Sequence, residues 1–412
     1  MVKENVMQNT EIGLLPEEWD LKKLGNIAFV TKLAGFEYSK YFNSYKDGGE
    51  IVVIRGTNIT SNKLDLSDTK YIPRKTSDFL HRSKLSKGDL VFAYVGTIGP
   101  IYLVKENNRF HLGPNTAKIK IENRDVDVDY IFNYFLSEFI RKEIEDRMSI
   151  GAQPSLSMAK IRDFNIPLPP LPEQEAIAEA LSDTDEWIES LEKLIAKKRL
   201  IKQGAMQELL TSKEGWEKKR LGELLLRNPE YGINAAAVKY QDKLPTYLRI
   251  TDISENGTFL QDGKVSVDHF LSVNYMLDAG DVCIARTGAS VGKSYYHKKE
   301  NGNLVFAGFL IRLKVNPQLL NSKLLFYITK SQSYQDYINS NSLRSGQPGI
   351  NSLELQSYEF FIPNSLTEQT RIANILSDMD AELEALAAQL KKVRKIKQGM
   401  MQELLTGRIR LV

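Results

Sequence analysis

The stretch most able to do chemistry is TGASVGKS at 287–294, where glycines precede a Lys-Ser pair as they do in phosphate-cradling loops. Such a loop requires the spacing G-x-x-x-x-G-K-[ST]. Thr287 occupies the place of its first glycine, and Gly288 falls one residue too close. A polar YYHKKENG follows where a helix is needed, so the stretch predicts a tight strand–turn–strand. Glu217-Lys218-Lys219 contains the fragment of a nuclease motif, but such tripeptides are ordinary in charged loops. The four histidines, at 81, 111, 269 and 297, form no metal-ligand spacing. The single cysteine, Cys283, lies in the apolar run DVCIA, as a buried small hydrophobe does. Leu168-Pro169-Pro170-Leu171 lacks both the polar first residue and the aromatic of an amino-methyltransferase motif. No glycine-rich dinucleotide fingerprint follows a strand. The residues therefore predict a chain that catalyses nothing itself and holds no metal or cofactor.

A different set of residues is suited to binding. Arg55-Gly56-Thr57-Asn58-Ile59 is echoed by Arg249-Ile250-Thr251-Asp252-Ile253, and GDLVFAYVGTIG at 88–99 by GDVCIARTGASVG at 280–292. SIGAQPS at 149–155 is echoed by SGQPGIN at 345–351. Arg, Asn, Gln, Thr and Tyr on loops are the residue types that meet phosphates and base edges. The candidates for such contacts are Arg55, Thr57, Asn58, Tyr94, Thr97 and Gln153 in the first half. In the second they are Arg249, Thr251, Arg286, Ser290, Lys293, Arg344 and Gln347. Residues reading different targets should differ between halves, which draws attention to Asn58 against Asp252 and Tyr94 against Arg286. The formal net charge is only +3, so any nucleic acid must be met by local clusters rather than a global field.

These loops must be carried by repeated elements. Residues 173–211 and 368–406 superpose at a constant offset of 195 with 22 of 39 identities and no gap. Ile177, Leu181, Ile188, Leu191 and Ile195 form an apolar seam at steps of three, four and seven. Ile372, Leu376, Met379, Leu383, Leu386, Leu390 and Val393 form the second. Each copy predicts one long helix, and two antiparallel copies would make a coiled-coil spacer. Both end in IKQG-x-MQELLT, identical even at polar Lys202, Gln203, Gln207 and Glu208, matched by Lys397, Gln398, Gln402 and Glu403. Two equivalent docking sites for two copies of one partner would require identical polar faces. A helix-end turn at Gly204 and Gly399 is the alternative. Ahead of each helix, DYIFNYFLSEFIRKEIED at 129–146 and KLLFYITKSQSYQDYI at 323–338 also predict helix.

The expected architecture is α/β (α+β): two α/β domains separated by two long antiparallel helices, in a pseudo-twofold internal repeat. The boundaries fall at an N-terminal extension 1–16, a first domain 17–172, a spacer helix 173–214, a second domain 215–367 and a second helix 368–412. The polar start, MVKENVMQNT, and the lack of any long apolar run predict neither leader nor membrane span, hence a cytoplasmic protein.

This arrangement resembles the specificity (S) subunit of type I restriction–modification systems over nearly the whole chain. The resemblance rests on the alternation of two variable regions with two repeated helices, on LPPLPEQ at 168–174, and on the paired blocks quoted above. It implies that each domain is a target-recognition domain reading half of a bipartite double-stranded DNA site. It implies that the helices fix the gap, with half-sites about one helical turn or 34 Å apart, and dock two modification subunits. Those partners would hold S-adenosylmethionine and methylate adenine, while restriction subunits translocate and cut. The competing readings are a protein-binding scaffold with two spaced globules, and a phosphate-loop enzyme. Binding to duplex DNA that weakens steeply with salt separates the first from the scaffold.

Overall fold

The computed structural model describes residues 6–42, 48–149, 154–344 and 346–411. The chain divides into two units, residues 1–192 with 389–412 and residues 193–388. Each unit thus takes one α/β domain and a portion of both long helices.

In the first unit the core strands are β1 (Ile51–Ile54), β2 (Leu90–Ala93), β3 (Phe110–Leu112) and β4 (Thr116–Ile121). β2 and β4 pair antiparallel in a four-stranded sheet completed by Ile101–Leu103 and Ala28–Lys32. β1 and β3 pair in parallel, with Lys70–Ile72 on the other side of β1. β1 and β2 are continuous apolar runs buried along their whole length, the pattern of strands covered on both faces. The expected N-terminal extension forms a hairpin, Met7–Thr10 with Gly13–Pro16, and Leu15 enters the core. After Thr116–Ile121 the predicted helix is two, Val128–Phe135 and Glu138–Arg147, because the chain breaks at Ser137. α1 (Leu171–Leu209) follows.

The second unit repeats this plan with β5 (Thr246–Leu248), β6 (Val282–Ala285), β7 (Leu304–Phe306) and β8 (Leu310–Leu313). β6 and β8 are antiparallel and β5 and β7 parallel, as in the first unit. The predicted helix is again split, into Ser322–Ile328 and Gln332–Asn341. Ser331 caps the second piece by accepting from the Tyr334 amide. α2 (Leu366–Leu404) closes the domain.

The echoed Gly-Asp motif has a structural purpose in both halves. Gly88 and Gly280 take φ of +90° and +93°, the left-handed region that glycine enters without penalty. The next residue is a buried aspartate that closes the turn. Asp89 accepts from the Ser86 amide at 2.7 Å and Asp281 from the Asp278 amide at 3.0 Å. A cation on the neighbouring strand faces each: Lys118 at 2.9 Å and Arg312 at 3.7 Å.

A buried glutamine ties each domain to its helix. Gln174 donates to the carbonyls of Asp125 and Pro169 and accepts from the Asp127 amide. Gln369 does the same with Leu319, Pro363 and the Asn321 amide. The glutamine that both long helices carry near their start is therefore a clamp. Both long helices are 39 residues, about 58 Å at 1.5 Å per residue. They run through Gly204 and Gly399, so no turn forms there.

Within each unit the helices run antiparallel and are joined by matched ion pairs. Lys397 meets Asp185 at 2.6 Å and Arg394 meets Glu192 at 2.6 Å in the first. In the second, Lys202 binds Asp380, and Lys198 meets Glu382 at 2.6 Å. Leu191, Ile195 and Val393 of the predicted seams are buried, while Ile188, Leu383, Leu386 and Leu390 are half-buried.

The chain end returns to its beginning inside the first unit. Arg410 pairs with Glu173 and with Glu18, and Glu173 also accepts from the Trp19 indole at 3.2 Å. The Glu173 side chain is fully buried. Arg410→Ala should therefore strand an unpaired buried carboxylate and lower unfolding free energy by about 3 kcal/mol. Adding Glu173→Gln should recover part of that loss. Urea denaturation of the full chain reads both effects, and an unchanged midpoint for Arg410→Ala would show the pair to be idle.

Candidate nucleic-acid interface

The loops singled out in the sequence converge at the C-terminal ends of the central strands, held by matching main-chain hydrogen bonds in the two domains. Past β2, the Tyr94 amide donates to the Asn115 carbonyl at 3.1 Å; past β6, the Arg286 amide donates to Phe309 at 3.0 Å. The carbonyls of Tyr94 and Arg286 accept from Leu156 and Ile350, both at 2.9 Å. Gly96 donates to Pro154 and Gly288 to Pro348, which brings each of these prolines against its glycine turn. Past β1 and β5, Ile54 and Leu248 accept from Gly113 and Ala307. Tyr94 and Arg286 thus occupy one backbone position in two copies of the fold, as do Asn115 and Phe309.

The Arg-x-Thr-Asn/Asp echo belongs to the framework. Asn58 is buried and donates to the Asp65 and Asp68 carbonyls at 3.1 and 2.8 Å, while its oxygen accepts from the Arg55 Nε at 3.0 Å. Arg55 also pairs with Asp68 at 3.0 Å. Asp252 is likewise buried and takes both the Nε and an Nη of Arg249, at 2.9 and 2.7 Å. Asn58 and Asp252, expected to distinguish two targets, therefore close a short turn instead. Their polar atoms are engaged inside the protein and cannot reach a base edge. Thr57 and Thr251, on the outer side of the same turns, are exposed.

In the second domain these elements surround a cleft of about 620 Å³ whose lining includes Arg249, Thr251, Ser290, Phe309 and Gln347. TGASVGKS is the turn above it: Gly288–Ser290 is a single short turn, and Ser294 opens a strand rather than a helix. Lys293 is paired with Glu255 at 2.7 Å, and Arg344 with Glu354. Arg286 is arranged differently. Its guanidinium lies over the Tyr231 ring at 4.5 Å, and its Nε is buried without a hydrogen-bond partner.

In the first domain Thr97 is exposed and Tyr94 half-buried, with Lys32 Nζ 5.7 Å from its ring. Burial raises the Tyr94 pKa, so its hydroxyl is neutral and can donate or accept. Gln153 lies outside the described residues; its counterpart Gln347 is exposed.

The family model for the type I restriction modification DNA specificity domain matches this chain twice, at residues 16–198 and 213–395. The chain belongs to that family. Each matched specificity domain contains one copy of the strand-end arrangement just described. The chain is similar to the StySPI type I restriction enzyme specificity subunit of Salmonella potsdam, 24% identical with 96% of this chain and 90% of that one covered. It is also similar to the MjaVIII specificity subunit of Methanocaldococcus jannaschii, 22% identical with 96% and 94% covered. In fold it resembles the type I system S subunit from M. genitalium at a TM-score of 0.60 and 15% identity, covering 94% and 96% of the two chains.

Sequence reasoning missed two residues of the specificity domains' rims. Asn115 is exposed with φ of +63°, which asparagine tolerates, and Phe309 is 62% exposed. An alignment of HLGPNTAKIKIEN at 111–123 with VFAGFLIRLKVNP at 305–317 would have found them. On the helices, Lys202 and Lys397, expected to dock a partner, are instead engaged in the interhelical pairs with Asp380 and Asp185. Gln203, Gln207, Glu208, Gln398 and Gln402 are exposed, and Glu403 is half-buried beside Arg408 at 2.9 Å. The framework role of Asn58 predicts that Asn58→Ala loses about 2 kcal/mol of stability, since two buried carbonyls lose their donor. The recognised DNA sequence should stay the same. A changed sequence preference with undiminished thermal stability would return Asn58 to the readout set.

Proposed function

We propose that this chain is the sequence-reading subunit of a type I restriction–modification assembly in the cytoplasm and carries no catalytic step itself. Each specificity domain reads one half of a split double-stranded DNA target. The paired long helices set the number of base pairs between the halves. Two modification subunits, holding S-adenosylmethionine, methylate adenine in each half, and restriction subunits translocate and cut.

One observation carries this reading: the two domains repeat the same main-chain bonds at the strand ends but present different side chains there. A shared framework with divergent rims is what reading two different half-sites requires. The engagement of Lys293 with Glu255 supports the non-catalytic part, because the lysine of a phosphate loop must be free to reach phosphates. The exposed glutamines repeated at the ends of both helices support two equivalent docking sites.

The test is to co-express the chain with its modification subunits and map methylated adenines across the host genome. The expected result is one split motif with a fixed gap, and exchange of residues 215–367 for those of a relative changes one block alone. A motif in which both blocks change, or no methylation despite a stable complex, would defeat the reading. Seven residues inserted in register into both helices add about 10.5 Å. At 3.4 Å per step the tolerated gap should lengthen by about three base pairs; an unaltered gap would remove the helices from that role.

A further inference from the structure

One rim position differs between the domains in a reciprocal way. Tyr231 pairs with Ile311 on β8, and Lys32 pairs with Ala117 on β4. Both β8 and β4 follow the loop that receives the Tyr94 or Arg286 amide, so Lys32 and Tyr231 hold one backbone position in the two copies. Each domain therefore places a cation beside an aromatic ring at the same strand end, with the partners exchanged. The second domain has Arg286 over Tyr231 at 4.5 Å, and the first has Lys32 at 5.7 Å from Tyr94.

We propose that this exchanged pair makes the two half-sites differ, with Arg286, held on Tyr231, reading a guanine in the half-site of the second domain. The inference rests on the functional reading above and assigns its specificity to named side chains. Arg249, Lys293 and Arg344, the other cations expected to face DNA in that domain, are each joined to a carboxylate. Arg286 has a ring beneath its guanidinium instead. Stacking fixes the plane of the fork and leaves its edge for another ligand. A planar fork in a fixed orientation matches the O6 and N7 acceptors of guanine, the commonest specific contact of arginine in the major groove. At the same place the first domain offers a tyrosine hydroxyl and a single ammonium, Lys32, a rotatable point charge without the rigid planar fork. The first domain is therefore not held to guanine at the corresponding step.

The experiment uses the full chain in complex with its modification subunits and a library of duplexes with every base of the split site varied. With Arg286 intact, one guanine of the second block should be preferred roughly five- to 150-fold, the range conferred by a bidentate pair. Arg286→Met removes every donor, so that preference should fall close to none while the other positions of both blocks keep theirs. Lys32→Tyr combined with Tyr94→Arg should bring a guanine preference into the first block. Uniform weakening on all sequences with base preferences intact would make Arg286 a phosphate contact and overturn the proposal. A second block without guanine would do the same. If the unaltered complex shows no split motif at all, the functional reading itself fails; a clear motif that the Arg286→Met variant leaves unchanged sinks only the exchanged pair.

Discussion

Everything at the candidate interface depends on a main-chain hydrogen bond between two loops at the end of the central sheet. The residue after β2 or β6 donates to the residue ahead of β4 or β8, as Tyr94 does to Asn115 and Arg286 to Phe309. A backbone bond does not depend on which side chains leave the two residues it joins. The rim can therefore change its chemistry completely while its geometry stays fixed. This separation of framework from readout lets one fold serve twice in one chain.

The framework residues carry their own specific chemistry. The buried aspartates at 89 and 281, the glutamines at 174 and 369, and the Arg–Asn and Arg–Asp turns all satisfy main-chain groups that would otherwise be buried without partners. An unsatisfied group of this kind costs about 1–3 kcal/mol, so such residues recur in both halves for the fold's sake. A side chain whose polar atoms are engaged inside the protein belongs to the framework whether or not it is identical in the two copies, as Asn58 and Asp252 show. The same logic applies to the long helices, where the repeated Lys202 and Lys397 hold Asp380 and Asp185 within each unit. The repeated glutamines beside them face solvent.

The duplication, the two domains and the long helices were legible because a gapless offset and an apolar periodicity survive in one sequence. The false phosphate loop was legible from a single displaced glycine. The role of Asn58 and Asp252 was not, since a sequence shows that two residues differ but not whether their atoms are already engaged. The helix breaks at Ser137 and Ser331 were hidden inside continuous helical periodicity; Ser331 caps its helix, whereas the buried Ser137 side chain makes no cap bond. Asn115 and Phe309 escaped because the loop ahead of β4 and β8 carries no shared motif. Tyr231 escaped because its short strand lies about 55 residues before Arg286.

The most direct test of one half-site per domain is photo-crosslinking from single positions in the assembled complex on its split target. A photoreactive residue replaces Tyr94 in one preparation and Phe309 in another, and the linked nucleotide is mapped on each strand. The account predicts that position 94 marks one block only and position 309 the other block only. Both positions marking the same block, or both marking the gap between blocks, would contradict it.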